Sequence, residues 1–386
     1  MASHRLLIEN FAQIQKVDLE FGDLTVLVGA QGTGKSLALQ WLKFAIDEEE
    51  VRIALRDAGF EIKTSEDAAD AYFGEGMRGA LQEGTEVLFD EIRIRLDSLT
   101  RPSAKIIQRT VPEMFFIPAH RALLLADGWP SPFMKLGLDT PVVARLFSQL
   151  LFERLSRRQE TTLFPRDGRV ADQEMSDRID KTVFHGGRMS LETRGLRRRL
   201  ELKYGEGAGL PFMTWTAGQR EFAPLLLGLY HLQLLGALPI KLNALNWVVI
   251  EEPEMGLHPQ AIATVMLLVI DLLRRGYRVV ISTHSPLVLD FVWALRQFKQ
   301  PSASVSDLAR ALNLNSPQAA KMLKAAISKD LRVHYLVHDA KNRVTSQDIS
   351  ELDPGSESEA ESTWGGLTQF GTSLGEAVGR IPEEDT

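Results

Sequence analysis

Apolar and polar positions alternate from the start of the chain. Leu6 and Ile8, then Val17, Leu19 and Phe21, fall two apart on either side of a short turn, which is the spacing of a hairpin with one buried face. Residues 24–28 form a short apolar run, the pattern of a strand buried on both faces. A glycine-rich loop follows, and then the period changes: Leu39, Leu42 and Ala45 predict a helix over residues 35–46. Residues 47–99 are acidic and read as helical, with turn signals at Phe73-Gly74-Glu75-Gly76. A core strand is expected at 114–117, closed by Pro118. A helix is expected at 141–158, where Val142, Leu146, Leu150 and Phe152 make an apolar stripe. Beyond an arginine-rich stretch, helix (225–235), strand (246–250), helix (261–274), strand (277–282) and helix (287–298) follow in order. This alternation predicts an α/β fold with a mostly parallel sheet, N-terminal antiparallel strands and helical inserts.

The same pattern divides the chain. Residues 1–46 and 211–300 read as the two parts of the core, and 114–121 as a core strand between them. Residues 47–113 read as an acidic helical insert, and 122–210 as a helical, arginine-rich lid or arm. Residues 301–349 read as a helical pair and a hairpin around Asp339-Ala340-Lys341-Asn342. Residues 350–386 read as an acidic tail rich in Ser and Gly and loosely held.

Composition narrows the classes. The net charge of −7 argues against coating nucleic acid through overall charge. Locally the balance reverses: residues 154–203 hold 13 Lys and Arg against 8 Asp and Glu, densest at Arg197-Arg198-Arg199. That region is a candidate contact surface for DNA or an acidic protein, set against a plain solvated lid. With no cysteine, disulfides and thiolate zinc sites are excluded, and a reducing cytoplasm is expected. The longest apolar stretch, 224–240, is broken by His231, Gln233, two glycines and two prolines, so no membrane contact is expected.

Four segments carry candidate chemistry. Gly29-Ala30-Gln31-Gly32-Thr33-Gly34-Lys35-Ser36 stands between a strand and a helix, where backbone N–H groups converge on phosphate oxygens. There Gly29, Gln31, Gly32, Thr33 and Gly34 would wrap ATP, Lys35 would reach its β- and γ-phosphates, and Ser36 would ligate Mg²⁺. The apolar strand Trp247-Val248-Val249-Ile250 ends in Glu251-Glu252-Pro253-Glu254. Glu251 is the candidate for holding Mg²⁺ and Glu252 for polarising the attacking water. His284, at the end of the next strand, is a candidate γ-phosphate contact. Thr216-Ala217-Gly218-Gln219 opens an apolar helix and forms a further candidate anion site.

In order and spacing these segments resemble ABC-type ATPases. Ile250-Glu251-Glu252-Pro253-Glu254-Met255-Gly256-Leu257-His258-Pro259 is similar to the OLD-family and related SMC-like AAA ATPases. Phe116-Ile117-Pro118-Ala119-His120-Arg121 resembles a further segment of that group near the Q-loop, although no glutamine stands there. The resemblance implies a composite site in a homo-oligomer. Thr216, Ala217, Gly218, Gln219 and Glu254 of one copy would then close over ATP held by another.

It also sorts the functions. A transporter subunit normally carries a Gln-bearing contact loop. Large chromosome ATPases need long coiled coils, which are absent here, and an OLD nuclease needs a C-terminal nuclease domain. What remains resembles the stand-alone ATPase of two-gene anti-phage defence systems such as PARIS and Septu. That role implies a separate effector protein, with a nuclease as the candidate. A DNA-repair ATPase and a non-hydrolysing, nucleotide-gated scaffold are the alternatives.

Overall fold

The computed structural model describes residues 4–101, 111–125, 127–165, 173–235 and 245–380. Residues 236–240 of the apolar stretch and 381–386 of the tail lie outside the described residues. The N-terminal hairpin forms as its alternation requires. β1 (His4–Phe11) and β2 (Ile14–Phe21) pair antiparallel, with Leu6 opposite Leu19 and Ile8 opposite Val17. β3 (Leu24–Gly29) is buried along its whole length. α1 (Lys35–Asp57) runs past the end expected at residue 46, because a kink at Asp47 bends the helix without ending it. A buried ionic cluster holds that kink. Lys43 Nζ lies 2.6 Å from both Asp47 and Glu50 and donates to the Met114 carbonyl, while Asp47 accepts the Glu113 and Met114 N–H groups.

The acidic insert is only partly helical. α2 (Ser65–Phe73) opens on a Thr64–Asp67 capping box. Its second half corrects the helical reading: β4 (Leu81–Phe89) pairs antiparallel with β1, and β5 (Ile92–Arg93) extends the sheet edge. Of β4 only Val87 is buried, so the alternation that marks a strand is missing. β1, not a buried face of its own, holds it in place.

β6 (Met114–Ile117) and α3 (Val142–Arg157) form where expected. The arginine-rich region does not form a helical lid. β7 (Thr162–Phe164), α4 (Gln173–Ile179), β8 (Gly187–Arg194), β9 (Arg197–Tyr204) and β10 (Leu210–Pro211) build a sheet in the order β10-β9-β8-β7. Met189, Leu191, Leu200 and Leu202 bury its inner face, a two-residue period masked by the charged residues between them. The period also splits the arginine triplet. Arg198 turns inward and donates to the Leu155 and Arg158 carbonyls beside the Trp129 ring, whereas Arg197 and Arg199 are exposed.

The rest of the core follows in the expected order: α5 (Ala217–Leu235), β11 (Trp247–Glu251), α6 (Pro259–Arg274), β12 (Arg278–Thr283) and α7 (Pro286–Gln297). α8 (Val305–Ala311) and α9 (Pro317–Ile327) make the helical pair. β13 (Leu331–His338) and β14 (Val344–Asp348) form the expected hairpin, but it is built into the main sheet. β13 lies parallel to β3 and β14 parallel to β2, giving the order β5-β4-β1-β2-β14-β13-β3-β12-β11-β6. The tail is not loose throughout. Leu352 is fully buried, and Trp364 packs on Trp293 between α10 (Glu359–Ser362) and α11 (Gln369–Gly379), the latter exposed along its length.

Alternate residues of the central strands enter opposite layers. Val26, Val28, Val248, Ile250 and Ile281 share one core with α5, α6 and α7; Leu27, Val249 and Val280 share the other with α1 and α2. The parallel strands are therefore covered on both sides, and only their ends are open to a ligand. Among the described residues no helix is long and apolar enough to cross a membrane.

Candidate functional site

Strand register brings the motifs to one end of the sheet. Glu251 of β11 pairs with Ser282 of β12, and Thr283 of β12 pairs with Val28 of β3. The loops that follow these three parallel strands leave on the same side, where open α/β sheets bind ligands. The first loop depends on its glycines. A Cβ on Gly29 would meet the Leu336 carbonyl of β13 at 2.3 Å, and Gly32 and Gly34 hold φ of 76° and 78°. No side chain caps α1, so its first N–H groups are left for an anion.

Within the loop, Gln31 is exposed, and Thr33 is buried with its hydroxyl on the Ala30 carbonyl. Lys35 is buried and donates to the Gly29 and Ala30 carbonyls at 2.8 and 2.9 Å. Burial pushes its ammonium down to about 8, with Glu252 and Glu254 opposing the shift. Gln13, on the turn between β1 and β2, donates to the Gly32 carbonyl at 2.9 Å and steadies the loop from outside. The sequence carried no sign of it beyond a polar residue at a hairpin turn.

Three acids stand at the end of β11. Glu251 is buried, which raises its pKa; the Ser36 hydroxyl and the Ala119 N–H oppose that rise. Its Oε2 accepts the Ala119 N–H at 3.2 Å, while Oε1 is buried without a hydrogen-bond partner. An orphaned carboxylate oxygen beside Ser36 fits Mg²⁺, which takes few protein ligands and completes its shell with water and phosphate. No cluster of three or more His, Cys, Asp and Glu capable of holding a metal alone occurs among the described residues. Glu252 takes a left-handed backbone, φ 41°, and its carboxylate lies 3.6 Å from His284 Nε2. Burial and the nearby Lys35 hold His284 below its usual pKa, so it is neutral at pH 7.

Two expectations change. Glu254 faces its own chain: its Oε1 accepts from Thr283 Oγ1 at 2.8 Å and from the His284 N–H at 2.6 Å. Gln219 is buried and already used, exchanging bonds with Thr216 and donating to the Val183 carbonyl and the Tyr204 hydroxyl. The Gln219 amide is thus spent within its own subunit, whereas Glu254 is held there by Oε1 alone, and its Oε2 is buried without a hydrogen-bond partner. Thr216 and Ala217 are exposed at the start of α5. Gly218 abuts the turn after β11, where a Cβ would meet the Gly256 carbonyl at 2.7 Å.

Parts of the chain are similar to known proteins. Residues 139–290 match the family described as "AAA domain, putative AbiEii toxin, Type IV TA system". Over 111 residues the chain is 27% identical to the energy-coupling factor transporter ATP-binding protein EcfA of Methanococcus maripaludis. That stretch takes in 25% of this chain and spans 40% of the relative's length. Among solved structures, an SMC head bound to the C-terminal winged-helix domain of ScpA aligns at a TM-score of 0.38 and 11% identity, over 90% of this chain and 97% of that one. A dimeric bacterial ABC transporter cassette aligns at a TM-score of 0.32 and 14% identity, over 74% and 90%. These two likenesses are too loose to assign any residue. The family match covers about two fifths of the chain, and it takes in α5, β11, α6 and β12, which supply the acids and His284 at the strand ends.

The depressed Lys35 pKa has a measurable consequence. A triphosphate held by Lys35 would need the ammonium form, so its binding above pH 8 would take up a proton. Affinity for a fluorescent ATP analogue should be flat near pH 7 and weaken as pH rises through about 8. Affinity constant to pH 9.5 would mean that Lys35 keeps its ordinary pKa or makes no phosphate contact.

Proposed function

We propose that this chain is an MgATP-hydrolysing, ABC-type ATPase that pairs with a second copy across shared nucleotide sites. The observation that carries this reading is the convergence of Lys35, Ser36, Glu251, Glu252 and His284 at the ends of three adjacent strands. Lys35 contacts the β- and γ-phosphates inside a loop of backbone donors. Ser36 and Glu251 hold Mg²⁺, which neutralises phosphate charge when bound. Glu252 takes the proton of the attacking water, and neutral His284 donates to the γ-phosphate. Exposed Thr216 and Ala217 at the start of α5 offer a helix N-terminus to a neighbour's nucleotide.

Paired in this way, ATP acts as a switch that favours the closed assembly, and hydrolysis releases it. The proposed output is a separate effector, in the manner of the ATPase subunit of an anti-phage defence system. Support comes from the resemblance at residues 250–259 and from the family matched over residues 139–290, whose description includes "putative AbiEii toxin, Type IV TA system".

Glu252→Gln tests both levels. The amide keeps shape but cannot accept a proton, so turnover should fall by about 10² to 10⁴-fold with ATP affinity unchanged. Wild-type turnover would move the base to another residue. In cells carrying the gene with its neighbours, the same variant should lose any protection against phage. Equal plaque counts with and without the wild-type gene would remove the defence role and leave the ATPase standing.

A DNA contact is the second reading, favoured by the exposed side of the four-stranded sheet, which carries Arg188, Arg197 and Arg199. Replacing Arg197 and Arg199 with Glu, and sparing inward-facing Arg198, should leave basal turnover intact and weaken DNA binding most at low salt. Identical DNA binding by both proteins across a salt series would leave this face a solvated surface.

A further inference from the structure

Arg121 stands outside every role assigned so far. It is wholly buried and spends its guanidinium on four main-chain carbonyls. Nη1 donates to Pro118 at 3.0 Å and to Glu251 at 2.9 Å, Nη2 to Glu252 at 3.2 Å, and Nε to Glu221 at 3.0 Å. Those carbonyls belong to three separate pieces of chain: the loop leaving β6, the end of β11, and the early part of α5.

Two of the four carbonyls flank one unusual residue. Glu252 holds φ at 41°, a backbone that non-glycine residues seldom adopt. Its N–H is fixed by the Ser282 carbonyl at 2.9 Å. The carbonyl before it and its own carbonyl are both held by Arg121. The turn is thus gripped from β12 on one side and from the guanidinium on the other. Its outcome is the approach of the Glu252 carboxylate to His284. The fourth bond, to Glu221, reaches α5, which opens at exposed Ala217 just after exposed Thr216.

We propose that Arg121 is a positioning residue for hydrolysis: it holds Glu252 in its left-handed turn and ties that turn to α5. Contact made at the start of α5 by a second copy is thereby felt at the base. This rests on the reading of Glu252 as the base. A lysine cannot replace it, because one ammonium is a point donor, whereas the planar fork serves carbonyls in several directions at once.

Arg121→Lys is the direct variant, measured for ATP affinity, KM and kcat. Affinity and KM should stay within about twofold of wild type, since Lys35 and its loop are untouched, while kcat falls about 100-fold from a misplaced base. In a Glu252→Gln background the same change should cost nothing further, because both act through one carboxylate. Wild-type kcat in folded Arg121→Lys, or a double variant that loses the product of both effects, overturns the proposal. Full turnover in Glu252→Gln alone brings down the underlying reading, and is recognisable because Arg121 is intact there.

Should Arg121→Lys lower Tm too far for kinetics, Glu252→Gly supplies the check. Glycine adopts φ 41° without strain and has none to release, whereas a freed Glu252 relaxes, so losing the clamp should lower Tm more in that background than in the parent. Equal drops in both backgrounds overturn the clamp.

Discussion

Neither the cations nor the acids at these strand ends could be buried alone. Lys35 and Arg121 are buried in the same small volume as Glu251 and beside Glu252 and Glu254. An isolated charge in such a place costs several kcal/mol. Here each sign lowers the cost of the other, though incompletely: burial still pulls Lys35 down to about 8 and raises Glu251. A site left this unbalanced would gain from a ligand that brings its own charges, a polyphosphate for the ammonium and a divalent cation for the unpartnered Glu251 oxygen. The glycines of the loop, the parallel register and the inward turn of Glu254 all serve to hold these groups together.

The fold was legible wherever burial imposed a period. β1, β2, β3, β11 and β12 each bury apolar residues in a simple pattern, and the boundaries of β3, β11 and β12 fall within about one residue of the sequence reading. It was illegible where neighbours supply the stability. β4 buries only Val87 and is a strand because β1 pairs with it. β8 and β9 do alternate, but Arg197, Arg198 and Arg199 hide the period behind charge. The hairpin at β13 and β14 was visible in itself, whereas its place beside β3 depends on long-range pairing that local pattern does not encode.

The site followed the same division. Gly29 to Ser36 and Glu251 to Glu254 stood out in the sequence by residue type and order, and the strand register brings them to one end of the sheet. Arg121 and Gln13 were not, because each acts on main-chain carbonyls brought near only by folding. Gln219 shows the converse. Its residue type suited an anion contact, yet its neighbours Val183 and Tyr204 have claimed it.

The central claim is that one ATP is shared by two copies, and subunit mixing tests it most directly. Gly218 is a poor place for the lesion, since any side chain there strikes the Gly256 carbonyl. Ala217 is exposed at the first position of α5, where an acid suits the helix N-terminus but would repel a neighbour's triphosphate. Ala217→Glu and Lys35→Ala should each be inactive alone. In a mixed pair one site carries both lesions and the other carries neither, so hydrolysis should return when the two proteins are combined. No recovery at any ratio, with both variants folded and mixed assemblies formed, would contradict a shared site.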